Sequence, residues 1–308
     1  FESLSRHWFL IEMDSSKRGL LQFNPNNVEV VRKDINLDGP GRMDEAVELL
    51  ERWVKMQNHF LKKDFSRQYL ETTLVSAKGL VERAKQRMDK MCTLKTLMPE
   101  FYPNTINTEM FAVLDTVVMT KEHYRVYFMS LVSDKFDSSI LLTYYKYFIM
   151  SSEYLKTHDY NAGFSFILDF RHLNILSFIT KMGPLELRQV VTLITEGYGM
   201  RLKRIGILTS SKMVETLVRF FKQILSTKLG ERIHIYKDLD SIYEAMDRDI
   251  LPGDYGGKEK TLKELNGDYC YLLQELNKAK TDESCRQSDQ FNECYIGMPG
   301  SFRALTVD

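Results

Sequence analysis

The chain has 308 residues, 44% hydrophobic and 27% charged, a globular composition that supports a sizeable core and excludes disordered and collagen-like classes. Forty-two basic residues balance forty-two acidic ones, which removes the global positive charge of a dedicated nucleic-acid binder. Cys92, Cys270, Cys285 and Cys294 form no C-x-x-C pair and read as free thiols in a reducing, cytoplasmic setting. The histidines are scattered, with no H-E-x-x-H, so neither a metal nor a cofactor is expected. Apolar runs stay far short of the roughly 18 residues a membrane span needs.

In chain order, residues 1–42 form a lead-in that ends in the structure-breaking Asp38-Gly39-Pro40-Gly41. Ala46, Leu49, Leu50, Trp53 and Val54 recur at helical spacing after Met43, which predicts an amphipathic helix with Asp44 as its cap. Further helices are predicted over Phe65 to Leu74 and Gly79 to Leu97, the last ending before Pro99. Beyond Pro103 short β-rich runs alternate with helices. Strands are predicted at Tyr124 to Met129, Phe164 to Asp169, Arg204 to Leu208 and Ile233 to Ile235, with helices at Ile140 to Leu155, Leu185 to Thr195, Met213 to Leu225 and Leu239 to Met246. That alternation predicts a mostly parallel α/β sheet with crossover helices.

Nucleotide-binding glycine motifs and the G-x-S-x-G elbow are absent. Gly197-Tyr198-Gly199 reads as a helix-ending turn. Asp169, at the end of a buried strand, suits either a turn or cap role or, with His172, an acid–base pair in an α/β enzyme. Residues 181–232 hold ten Lys/Arg against four acids, a local +6 that is offset by an acidic tail. The basic segment is either a solvated face or, if its side chains converge, an anion site. The helix from Met213 to Leu225 places Val214, Leu217, Val218 and Phe221 on one side, as a sheet cover or as a lid that opens onto a membrane.

Asp249-Ile250-Leu251-Pro252-Gly253-Asp254-Tyr255-Gly256-Gly257 resembles the L-P-x-x-Y-G-G signature that closes CRAL-TRIO domains, the lipid-binding fold of tocopherol and retinaldehyde carriers. Gly163 to Asp169, Tyr198 to Leu208, the Met213 to Leu225 helix and Glu231-Arg232-Ile233-His234 are similar to family segments in the same order. Leu50 to Phe60 and Arg83 to Asn104 resemble the helical domain that precedes it, although the family's F-L-R pattern is replaced by Tyr69-Leu70-Glu71. The ending Gly300 to Asp308 is similar to the C-termini of arthropod members, which implies a natural terminus.

The resemblance implies a helical bundle (43–104), a CRAL-TRIO domain (105–265) with a mostly parallel sheet and a mobile gate helix over an apolar cavity, and a C-terminal extension (266–308). It implies a non-enzymatic carrier for a tocopherol-like, isoprenoid or retinoid ligand, with no catalytic residue. The apolar wall expected on this basis is Phe166, Leu168, Leu187, Val191, Ile194, Ile207, Val214, Leu217, Val218 and Phe221. Ser177 is either a polar contact or an ordinary surface serine. Tocopherol-transfer members engage phosphatidylinositol bisphosphates through four basic positions, which fall here on Arg201, Lys203, Lys228 and Arg232. A monomer is expected, associating peripherally with anionic membranes and with no nucleic-acid partner. The rivals are a phosphoinositide-binding adaptor without transfer activity and the α/β enzyme.

Overall fold

The computed structural model describes residues 21–102, 113–131 and 138–267. The start of the lead-in, most of the C-terminal extension with Cys270, Cys285 and Cys294, and the ending Gly300 to Asp308 lie outside the described residues.

Four helices form the N-terminal layer: α1 (Asn27–Asp34), α2 (Arg42–Met56), α3 (Arg67–Ser76) and α4 (Val81–Leu97). In α2 the buried positions are Met43, Ala46, Val47, Leu50 and Val54, so the stripe is rotated from the expected one and Leu49 is half exposed. Asp44 is not the cap. That position is Gly41, in the left-handed region, and Asp44 sits in the first turn, where its charge suits the helix N-terminus and pairs with Arg67 of α3. Ser66 caps α3 by accepting from the Tyr69 amide at 3.2 Å. The lead-in is more than a tether: α1 contributes Val31, and Ile35 and Leu37 follow it into the helical core.

The sheet runs β1 (Val113–Met119), β2 (Tyr124–Leu131), β3 (Gly163–Asp169), β4 (Leu202–Leu208), β5 (Ile233–Tyr236) in spatial order. β1 pairs antiparallel with β2, and the other pairs are parallel. Parallel neighbours taken in sequence order with right-handed crossovers must all cross on one face. The connections do so with α5 (Ser138–His158), α6 (Ile175–Lys181), α7 (Pro184–Thr192), α8 (Val214–Ile224) and α9 (Thr227–Gly230). Strand alternation sorts side chains accordingly: Tyr127, Phe164, Phe166 and Ile207 join the helix-side core, whereas Val126, Phe128, Ile167 and Leu208 meet Ile242, Leu251 and Tyr255 on the opposite face. α10 (Leu239–Tyr243) begins the segment that covers that second face.

α7 continues into one π turn, Leu193–Gly197. A Cβ on Gly197 would lie 3.3 Å from Leu94 and 3.5 Å from Met91, so this turn packs tightly on α4 and joins the two layers. Cys92, expected as a free thiol, is disulfide-bonded, which removes the thiol argument for a reducing compartment. Among the described residues no helix is long and apolar enough to cross a membrane, and no group of three His, Cys, Asp or Glu could hold a metal.

Candidate functional site

The helix side of the sheet and the inner faces of α5 to α8 enclose the largest apolar cluster. Phe166, Ile194, Ile207, Leu217 and Phe221 are buried in it, and Leu168, Leu187, Val214 and Val218 pack half-buried against it. Val191 is half-buried and is not part of that cluster, and its carbonyl accepts from Thr195. Ser177 lies on the third residue of α6, its amide held 3.0 Å from the capping Asn174 carboxamide, and is half-buried outside the cluster. Sequence reasoning missed the aromatic wall supplied by α5, where Tyr144, Tyr145, Tyr147 and Phe148 are buried. An apolar spacing along the 21-residue α5 was visible, but its inward face was not.

α8 closes this cluster. Leu217 and Phe221 point inward, Met213, Val214, Val218 and Phe220 are half-buried, and Glu215, Arg219 and Lys222 face out. The helix packs on α6 and α7. On its outer side a hollow of about 410 Å³ is lined by Glu215, Val218, Arg219, Lys222, Gln223 and Ile235, so the predicted wall residue Val218 also borders this outer face.

The four predicted cations occupy the opposite end of the sheet from Asp169. Arg201 and Lys203 flank the start of β4, and Arg232 immediately precedes β5. The β3–β4 register skips Lys203 at a bulge, a device that re-aims one side chain, and Lys203 Nζ lies 4.8 Å over the Tyr124 ring. Gly163 makes this possible, because a Cβ there would sit 2.8 Å from the Arg201 carbonyl oxygen and 3.3 Å from the Lys203 stem. Arg201 approaches Asp34 of α1 at 3.4 Å. Arg232 donates to the Leu202 carbonyl. Lys228 is exposed on α9, four residues before Arg232.

Asp169 does not form the acid–base pair of the enzyme alternative. Its two oxygens accept from the Arg171 backbone and guanidinium at 2.7–3.2 Å and from Tyr255 Oη at 2.9 Å, while His172 is exposed. Tyr255 belongs to the L-P-x-x-Y-G-G turn, whose chemistry is steric. Gly256 has φ +72°, and a Cβ on Gly257 would fall 1.9 Å from the Leu251 carbonyl oxygen.

Residues 117–257, which contain β2 to β5, α8 and the closing turn, match the family model of the CRAL/TRIO domain. This segment is similar to the CRAL/TRIO domain. Alpha-tocopherol transfer protein-like from Mus musculus is 26% identical over 96 residues, which are 31% of this chain and 28% of the relative. The Homo sapiens protein of the same name is 25% identical over the same shares. The match thus spans less than a third of these curated relatives. The crystal structure of Sfh5 aligns with 83% of this chain and 99% of its own at 12% identity and a TM-score of 0.49.

The matched segment is tied to the helical layer by a largely buried polar cluster. Tyr198 Oη donates to Glu153 Oε2 at 2.6 Å and lies 3.3 Å from Tyr102 Oη, and Lys95 Nζ meets the same carboxylate oxygen at 2.7 Å. Burial, reinforced by the Glu153 charge, pushes the Tyr198 phenol far above its ordinary range, so it remains a donor.

Proposed function

We propose that the chain is a non-enzymatic carrier that encloses one hydrophobic small molecule, of tocopherol-like, isoprenoid or retinoid class, between the sheet and α8, and exchanges it at anionic membranes. The observation that carries this reading is α8 itself: a two-sided helix whose apolar face closes the largest apolar cluster, in a segment similar to the CRAL/TRIO domain. Swinging such a helix out would strand apolar area in water, at roughly 25 cal/mol per Å², unless a bilayer receives it. Opening is then favoured at a membrane and closure in solution. The match to alpha-tocopherol transfer protein-like relatives supports a lipidic ligand.

Arg201, Lys203, Lys228 and Arg232 would dock the carrier on phosphoinositide headgroups by charge-assisted hydrogen bonds. Membrane association is peripheral in this account. Ligand transfer between donor and acceptor vesicles tests the whole reading. Catalysed transfer of a fluorescent retinoid or tocopherol supports a carrier, whereas phosphoinositide binding with no transfer would replace it with an adaptor.

A further inference from the structure

Among the described residues three buried side-chain polar atoms have no hydrogen-bond partner, and all three lie on α5: Tyr145 Oη, Ser151 Oγ and Lys156 Nζ. Lys156 is the costliest, because an amine shut away from water without a partner forfeits its solvation. It also lines a cavity of about 40 Å³ where α3, the end of α5 and the loop before β4 meet, together with Thr72, Ser76, Asp159, Asn161 and Arg201. One water needs roughly 10–15 Å³ by this measure, so the space suits a group of several heavy atoms. The flexible lysine stem can carry its amine to any wall of so small a cavity.

The charges around the amine come from every neighbouring element. Tyr69 of α3 presents its ring 5.3 Å from Lys156 Nζ. Arg87 of α4 donates to the Gly199 carbonyl at 2.7 Å, and both Arg83 and Arg201 act on it. The nearby carboxylates are committed elsewhere, Glu153 to Lys95 and Tyr198 and Asp159 to Arg125 and Asn161. Asp34 answers Arg201 from 3.4 Å. A surplus of positive charge remains around a cavity whose walls are largely apolar, with Val75, Leu155, Phe164 and Met200 among them.

We propose that this cavity binds a small oxyanion, a phosphate ion or the phosphate monoester of a lipid headgroup, through charge-assisted hydrogen bonds from Lys156 and Arg201, the Lys156 amine taking one proton from solvent as the anion enters. Burial, then the charge of Arg87, holds this amine well below the usual lysine range, with Glu153 acting the other way. Burial and the two arginine charges bring Arg87 down to about 10. An entering anion relieves each of these repulsions. The site extends the headgroup reading inward, resting on that reading only where the phosphate belongs to a lipid.

Titration calorimetry of the full chain with sodium phosphate, in buffers of different ionisation enthalpy, tests it. Phosphate should bind more tightly at mildly acidic than at mildly alkaline pH, with net proton uptake. Lys156→Met should weaken binding by about tenfold or more, the loss of one charge-assisted hydrogen bond, while Lys156→Arg should bind phosphate without the proton uptake. Phosphate binding identifies a free-anion site. Lys156-dependent binding of phosphatidylinositol monophosphate vesicles, without affinity for phosphate itself, identifies a lipid headgroup. Phosphate binding without proton uptake, or unchanged in Lys156→Met, would overturn the proposal, as would the absence of any Lys156-dependent binding. If phosphate itself does not bind, vesicle binding lost in Arg201→Ala/Lys203→Ala but intact in Lys156→Met would sink this inference and leave the docking reading standing.

Discussion

Tyr255 Oη donates a 2.9 Å hydrogen bond to Asp169 Oδ2 across 86 positions of sequence, fastening the closing turn to the end of the central strand. Arg171 completes the clamp, its guanidinium 2.7 Å from the same oxygen and 5.3 Å over the Tyr255 ring. Tyr255→Phe leaves a buried carboxylate oxygen short of one donor, and should cost about 1–3 kcal/mol of stability in denaturant unfolding. Ligand binding should change little, because the clamp lies on the face of the sheet away from α8. Gly257→Ala should be far worse, since its Cβ would strike the Leu251 backbone.

Arg125 and Asp159 form a bidentate pair at 2.9 and 2.7 Å, with side chains 1% and 0% exposed. Removing the cation in Arg125→Met should destabilise the chain by about 3–5 kcal/mol, because Asp159 is then left buried and uncompensated. The exposed Arg67–Asp44 pair is the control, and breaking it should cost at most about 1 kcal/mol. Parallel urea melts compare the two.

Lys156→Met should stabilise the fold at neutral pH by about 1–3 kcal/mol, the usual range for an unpartnered buried polar group. The sign follows from linkage. The folded pKa lies below the unfolded value, so the unfolded chain holds the extra proton between them. The penalty is full below the folded pKa and vanishes as pH rises toward the ordinary lysine value. The gain from Lys156→Met should therefore shrink with rising alkalinity, which melts across a pH series would show.

Arg201→Ala/Lys203→Ala should weaken binding to phosphoinositide vesicles by roughly 1 kcal/mol per charge near the surface, with a shallower salt dependence. Binding of the apolar ligand should persist. Equal loss of both in a folded variant would refute the separation of docking from ligand capture, and co-sedimentation beside a ligand titration decides it.

Much of this architecture was legible because period and burial coincide. The 3.6-residue stripes of α2, α4 and α8 each face one core, and the apolar runs of β2 to β4 are covered on both faces, so pattern alone located them. β1 escaped because an antiparallel edge strand need not be apolar, and Asp115 interrupts its sequence. α1 escaped for a different reason. It is short and polar, and it is pinned by distant partners, Asn27 donating to the Tyr160 carbonyl at 2.5 Å and lying 2.7 Å from His123 Nδ1. The seven-residue α6 did carry a signal, the capping Asn174, whose side chain accepts from the amide three residues on. At the site, the apolar candidates on β3, β4 and α8 came from the family resemblance. Lys156 did not, because a lysine near a helix end reads as solvated until tertiary packing buries it.

The central claim is that one lipophilic molecule occupies the space closed by α8. Organic extraction of the purified chain, followed by native and lipidomic mass spectrometry, measures this most directly. The account predicts a single stoichiometric hydrophobic species, or stoichiometric uptake of a supplied isoprenoid, tocopherol or retinoid, with occupancy reduced in Phe221→Ala. A protein that carries nothing and takes up none of these ligands, while still binding phosphoinositide vesicles, would contradict it.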